Sequence, residues 1–209
     1  PLSYGLMKNL TTTPFKKLLP KDLIRMPWKN GGGMTTEIAR GGKSTDERDW
    51  GWRISIAGVL TDGPFSIFKG VDRTITVIEG NGMDLDFLGT PKIELNLFEV
   101  VKFDGGQAFE GRLKDGPIKD FNVMVDRNLF DANLVIHDGQ TQGDSLVANH
   151  SLVLVHLLKG KGAQIGCKQN IFNLRRDETI IYRNNDVLKI CSSENALIAI
   201  VKINENKDT

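Results

Sequence analysis

Short apolar runs closed by turn residues set the pattern of this chain. Runs rich in β-branched and aromatic residues cover Trp52 to Val59, Thr74 to Glu79, Met83 to Phe87, Glu99 to Phe103 and Asn122 to Val125. Others cover Ser151 to Leu158, Thr179 to Tyr182, Val187 to Cys191 and Ala196 to Ile203. Punctuation such as Asp62-Gly63-Pro64, Gly80-Asn81-Gly82, Asp104-Gly105-Gly106, Asp115-Gly116-Pro117, Gly160-Lys161-Gly162 and Asn184-Asn185-Asp186 separates them, the spacing of an all-β sandwich or barrel. The one candidate helical turn is Lys21 to Met26, where Pro20-Lys21-Asp22-Leu23 suits a helix start and Pro27 would end it.

The same hairpin occurs twice. Val77-Ile78-Glu79-Gly80-Asn81-Gly82 and Leu157-Leu158-Lys159-Gly160-Lys161-Gly162 share an apolar-apolar-charged-Gly-x-Gly pattern 80 residues apart. Glu99 to Phe103 begins 17 residues beyond Gly82, and Glu178 to Tyr182 begins 16 beyond Gly162. Duplication of one small β-barrel module explains both spacings, and a packed pair would hide strand edges that one module leaves open. The boundary is expected near residues 128 to 150, giving a first module of residues 1–127 and a second of 128–209.

One stretch is composed like a site rather than a core. Met26-Pro27-Trp28-Lys29-Asn30-Gly31-Gly32-Gly33 precedes the alternating Thr35-Thr36-Glu37-Ile38-Ala39, which reads as a loop feeding a strand. A glycine triplet is entropically costly and usually marks positive φ or close backbone approach. On the run from Trp52, residues Arg53, Ser55, Ala57 and Val59 share one face, and Trp52, Ile54, Ile56 and Gly58 the other, which reads as core. Arg53 and Ser55 would then line a barrel mouth, with Lys29, Asn30, Thr35 and Glu37 completing the rim. The competing reading pairs Arg53 and Arg73 with Glu37, Asp62 or Asp72 in ordinary ion pairs. Trp28 either stacks on a ligand or packs into the core. Asp62-Gly63-Pro64-Phe65 reads as a turn, and Asp120-Phe121-Asn122 with Asp126-Arg127 as a strand end at the junction of the modules, with Asn122 assigned to the pocket.

Met26 to Gly33 with Thr35 to Ala39 resembles the signature of the HutD/Ves family. The resemblance continues through Trp52 to Ala57, Asp62 to Ser66, Asp72-Arg73-Thr74, Glu79 to Met83, Phe103-Asp104-Gly105 and Asp120 to Arg127, in the family's order. It implies a cytoplasmic bacterial protein with two tandem cupin-like β-barrel or jelly-roll modules, a bicupin. It also implies an association with histidine utilisation in one branch and stress response in the other. Metal-binding cupins carry a motif of the type G-x5-H-x-H-x3-4-E-x6-G. With Gly80 as its last glycine, Arg73 stands at the glutamate position, and Ser66 and Phe68, or Ile67 and Lys69, at the histidines. A divalent ion needs converging N, O or S donors, so no metal and no cofactor are expected there. In the second module Val153 takes the glutamate position. His150 and His156 would sit about 20 Å apart on one strand, and they and His137 read as packing or surface residues.

Arg73 then offers a permanent cation where an acidic ligand would be, suited to bidentate capture of a carboxylate. The expected ligand set is Trp28, Lys29, Asn30, Thr35, Glu37, Arg53, Ser55, Arg73 and Asn122. The expected function is metal-independent binding of a small anionic, carboxylate-type metabolite by a sensor or modulator. By resemblance the ligand comes from histidine catabolism: urocanate, formiminoglutamate, formylglutamate or formate. The alternatives are a metal-free isomerase or lyase with Glu37 as base and Lys29 or Arg73 as oxyanion stabiliser, and a scaffold whose signature loop contacts a partner protein.

Composition narrows partners. The chain has 209 residues, and Lys+Arg of 27 against Asp+Glu of 26 gives a net charge of +1. No global field favours nucleic acid or an anionic membrane. No run of about 18 apolar residues and no charged-then-apolar leader is present, so a cytoplasmic location is expected, as monomer or homodimer. Cys167 and Cys191 lack a metal-binding spacing and are expected to be reduced and buried.

Overall fold

The computed structural model describes residues 14–139, 145–147, 152–183 and 187–206. His150 and the Asn184-Asn185-Asp186 turn lie outside the described residues. Among the described residues the chain is strand and turn, with a 3-10 helix of three residues at Pro20–Asp22 and no α-helix. No helix among the described residues is long and apolar enough to cross a membrane. The helical turn expected over Lys21 to Met26 stops after one turn, and Pro27 closes a strand instead of a helix.

In chain order the first strands are β1 (Phe15–Leu18), β2 (Ile24–Pro27), β3 (Gly33–Gly41), β4 (Trp52–Val59), β5 (Gly63–Pro64) and β6 (Val71–Glu79). They are followed by β7 (Met83–Phe87), β8 (Ile93–Leu95), β9 (Val100–Asp104), β10 (Phe109–Leu113) and β11 (Ile118–Asp126). The remainder are β12 (Phe130–Asp138), β13 (Ser145–Val147), β14 (Leu152–Lys159), β15 (Ala163–Cys167), β16 (Asn170–Leu174), β17 (Thr179–Tyr182), β18 (Val187–Ser192) and β19 (Leu197–Glu205).

Residues 23–131 form one compact unit, and β1 joins the residues from 132 onward in another. Strand β1 falls within the residues assigned by sequence to the first module, yet it pairs antiparallel with β17, Phe15 opposite Tyr182. Phe15 explains this, because its ring packs 4.3 Å from both Phe172 and Tyr182.

The first unit pairs a six-stranded sheet, β2-β3-β4-β11-β6-β9, with a four-stranded sheet, β5-β10-β7-β8. Val59, Ile75, Val77 and Ile118 of the large sheet bury a common core with Met83, Leu85, Phe87, Leu95 and Phe109 of the small one. The second unit repeats the order: β17-β14-β19-β12 corresponds to β9-β6-β11-β4, and β13-β18-β15-β16 to β5-β10-β7-β8. These are two cupin-like modules of one design.

The repeated hairpin fixes the correspondence residue by residue. Gly80 and Gly160 both take positive φ, 98° and 110°. A Cβ on either would strike the backbone entering the next long strand, 2.7 Å from the Pro117 carbonyl oxygen and 2.8 Å from the Ala196 Cα. Only glycine satisfies both conditions. Each hairpin also carries a β-bulge at the same place, where Ile78 and Leu158 are skipped in the pairing.

The second module is filled by its own side chains. Val153, Val155, Leu157, Ile165, Ile180, Tyr182, Ile198 and Ile200 pack inside it. His156 is fully buried, its Nδ1 2.8 Å from Thr179 Oγ1, and burial lowers its pKa to about 4. Of the two free cysteines, Cys167 is buried and lies 3.3 Å from the Tyr182 hydroxyl. Cys191, expected to be buried, is exposed on β18, whose inward residues are Leu188 and Ile190.

Candidate functional site

The signature loop is built to place Trp28. The Trp28 N–H donates to the Gly33 carbonyl at 2.9 Å, closing the β2–β3 hairpin. A Cβ at Gly33 would lie 2.4 Å from the Gly58 carbonyl oxygen and 3.1 Å from the Trp28 ring, so glycine lets the indole lie against the sheet. Trp28 Nε1 then donates to Thr35 Oγ1 at 2.8 Å, and the ring meets Phe65 edge-on at 6.0 Å. Lining and packing are both served by this one side chain, which is half-buried against the first module's core. Asn30 turns its Oδ1 to the Gly32 N–H at 3.0 Å, while Lys29 stays exposed.

These residues form the rim of a cavity of about 620 Å³ inside the first module. Of the nine residues expected to contact ligand, Trp28, Lys29, Asn30, Thr35, Arg53, Ser55, Arg73 and Asn122 line it. Glu37 does not. Its carboxylate accepts from Arg53 Nε at 2.7 Å and lies 3.2 Å from Arg40 Nε, the ion-pair reading for Arg53. A bulge between Glu37 and Ala39 lets Arg40 reach back to it.

The floor follows from strand register. Arg53 of β4 faces Met124 of β11, which faces Arg73 of β6, which faces Phe103 of β9. One pleat along, Ser55 faces Asn122 and Asn122 faces Ile75; one further, Ala57 faces Asp120 and Asp120 faces Val77. Side chains two apart share a face, so Arg73, Asn122 and Asp120 meet inside the barrel.

Arg73 is 5% exposed. Its Nε and one Nη donate to Asn122 Oδ1 at 2.9 and 2.7 Å. Its guanidinium carbon lies 5.2 Å from the Phe65 ring, 5.6 Å from Phe109 and 5.7 Å from Phe103, within cation–π range. Among the described residues no carboxylate lies within ion-pair distance of it, and Nη1 has no protein acceptor. Neither Asp62 nor Asp72 reaches it: Asp62 accepts from the Leu113 N–H, and Asp72 pairs with Arg127 at 3.0 Å. Burial lowers the Arg73 pKa to about 10. Asn122 in turn donates from Nδ2 to Asp120 Oδ1. Asp120 is fully buried, and desolvation lifts its pKa to about 7 against the opposing pull of Arg73 and Asn122.

Asp120, Phe65 and Phe109 escaped the sequence reading. Asp120 was placed at a strand end, whereas β11 begins two residues earlier at Ile118 and the alternation Ile118, Asp120, Asn122, Met124 points it inward. Phe65 was read within a turn and follows the two-residue strand β5, too short to show periodicity. Asp126 and Arg127 were expected at a module junction. Instead Asp126 accepts from the Thr45 N–H and hydroxyl, both at 2.7 Å, and Arg127 pairs with Asp72 and Asp104, all within the first unit.

The donor chemistry does not suit a metal. Ser66, Phe68 and Arg73, the positions picked out by the metal-motif register, all line the cavity, and none is an anionic or imidazole donor. Among the described residues no cluster of three His, Cys, Asp or Glu side chains is placed to share an ion.

Known proteins share this architecture. The chain is 40% identical over 139 residues, 66% of its length, to an uncharacterized 21.2 kDa protein in the hutC 3′ region of Pseudomonas putida, of which that match covers 70%. It is 35% identical over 121 residues to protein Ves of Escherichia fergusonii, covering 56% of this chain and 62% of the relative. HutD from Pseudomonas fluorescens SBW25, solved in a formate condition, superposes with a TM-score of 0.79 at 28% identity over 92% of this chain and all of that one. With residues 20–199 matching the HutD family model, which takes in the whole cavity wall and most of both modules, the chain belongs to the HutD family.

Proposed function

We propose that the first module binds a small carboxylate-bearing metabolite in its cavity, without a metal, and that the protein acts as a sensor or modulator linked to histidine utilisation. The observation that carries this reading is Arg73. Burying a guanidinium is costly unless an anion or an equivalent set of acceptors meets it. Here Asn122 meets one edge, three phenyl rings frame the group, and Nη1 is left for an incoming oxygen. The walls, Trp28, Phe65, Phe68 and Met26, suit the carbon skeleton of a small acid, and Lys29 and Asn30 suit a second polar group at the rim. The link to histidine utilisation draws on the relative encoded beside hutC.

Catalysis with Glu37 as base is less well supported, because both its oxygens are engaged by arginines and it does not line the cavity. A scaffold role through Trp28 is also less well supported, because the ring is half-buried and its N–H is taken by Thr35.

Thermal unfolding and calorimetric titration with urocanate, formiminoglutamate, formylglutamate, formate and acetate test the proposal. At least one acid is expected to raise the unfolding temperature with saturable heat at millimolar concentration or below, while their uncharged amide counterparts do not. No shift and no heat with any of them would end the carboxylate reading.

A further inference from the structure

Asp120 has no role in the binding scheme as described, yet it is placed where a structural carboxylate is hardest to justify. It is fully buried, its Oδ1 accepts from Asn122, and its Oδ2 is buried with no hydrogen-bond partner among the described residues. Across the strands it faces Ala57 and Val77, neither of which can solvate it. A buried polar atom left unpaired costs free energy, more when it is charged. A purely structural position would be filled by an apolar residue, and the second module does so, with Ile198 at the corresponding place on β19.

The charges around it are few. Arg73 on β6 meets it only through Asn122, and Arg53 on β4 is neutralised by Glu37 on β3, which Arg40 also holds. Lys119, next to Asp120 on its own strand, pairs with Glu79. From β9, β10 and β7 the residues that face inward are Val101, Phe103, Phe109, Leu113, Met83, Leu85 and Phe87, all apolar. Among the described residues of this interior, Arg73 is thus a cation without a direct ion-pair partner, and Asp120 is an acid able to balance it at a distance.

We propose that a carboxylate ligand enters this cavity together with a proton, the ligand taking the free edge of Arg73 and the proton being held on Asp120. This rests on the carboxylate reading of the cavity and adds its regulation. With the cavity empty, an ionised Asp120 balances Arg73 through Asn122. Once a second carboxylate lies against Nη1, two anions share one cation in a low-dielectric interior, and one of them must be neutralised. The ligand touches the guanidinium directly and Asp120 does not, so the proton taken from water goes to Asp120. The balance is one carboxylate bound, one proton absorbed and no net charge added. The group is already poised for this, since burial lifts its pKa to about 7 before any ligand arrives. Binding therefore tightens as the pH falls and weakens as it rises.

Titration calorimetry of the full chain with acetate, at pH 6 and pH 8 in buffers of different ionisation enthalpy, counts the protons directly. Acetate itself is ionised across this range, so its own titration does not contribute. Uptake close to one proton per acetate at pH 8, falling toward none at pH 6, is expected, with affinity about tenfold weaker at pH 8. In Asp120→Asn both the proton uptake and the pH dependence are expected to vanish while acetate still binds. Acetate binding of equal affinity at both pH values, without proton uptake, would overturn the coupling and leave the anion site standing. Absence of binding at either pH would overturn both. The proton count on the unmodified protein decides the matter even where the variant folds poorly.

Discussion

The two modules share strand order, hairpin geometry and bulge, and differ in what fills them. At corresponding places the first carries Arg73, Asn122 and Asp120, and the second carries Val153, Ile200 and Ile198. One β framework is thus either a packed core or a cavity with a polar floor, and three inward positions on two neighbouring strands make much of the difference. The second module is filled by its own apolar side chains. The first holds a buried cation that donates to Asn122 alone among the described residues.

Transplanting one position tests this contrast most severely. Val153→Arg puts a guanidinium beside Tyr182 in a filled interior where Ile200 stands in place of Asn122, and is expected to destabilise the protein by about 3–5 kcal/mol in urea denaturation without creating an acetate site. A loss below about 1 kcal/mol would mean that the second barrel yields easily and that the cavity and Asn122 beside Arg73 are unimportant.

The buried titratable groups of the two modules should respond to pH in opposite directions. Asp120 is raised from 3.8 to about 7, so its contribution to stability is full below the lower value and is lost as pH rises through the upper. His156 is lowered from 6.5 to about 4, so its contribution is present above 6.5 and is lost as pH falls through 4. Each is worth on the order of 3 kcal/mol, and between pH 4 and 6.5 they oppose one another. Denaturation of Asp120→Asn across that window is expected to show stability rising with pH more steeply than in the parent, and His156→Gln the reverse. Parallel curves for parent and variants would remove the assignment of these groups.

Arg73→Met exchanges the buried charge for an apolar side chain of similar reach. It should cost acetate about a hundredfold in affinity, yet leave the unfolding temperature of the free protein unchanged or higher. A free protein much less stable than the parent would make Arg73 structural. The smallest effect expected is for Gly33→Ala, whose Cβ meets the Gly58 carbonyl at 2.4 Å. A loss of about 1–2 kcal/mol and a red-shifted Trp28 emission are expected as the indole is lifted off the sheet.

Much of the frame was legible where alternation was clean. Trp52 to Val59, Met83 to Phe87 and Thr179 to Tyr182 coincide with β4, β7 and β17. Strand β12 was absorbed into the expected boundary, although Phe130, Ala132 and Leu134 alternate inward with Asp131, Asn133 and Val135 outward. Edge strands β8 and β16 are short and half exposed, so burial leaves little trace in their composition. The rim around the glycine triplet was legible because its residues are chemically conspicuous. The aromatic frame was not, since Phe103 and Phe109 come from two strands and Phe65 from the residue after a third, brought together only by long-range register, and a phenylalanine facing a cation reads like any other core residue.

The most direct test of the central claim is a crystal structure of the full chain determined with acetate. A carboxylate bound against Nη1 of Arg73, between Phe65 and Trp28 and without a metal ion, is the predicted result. Acetate confined to surface lysines, with only water beside Arg73 at saturating concentration, would contradict it.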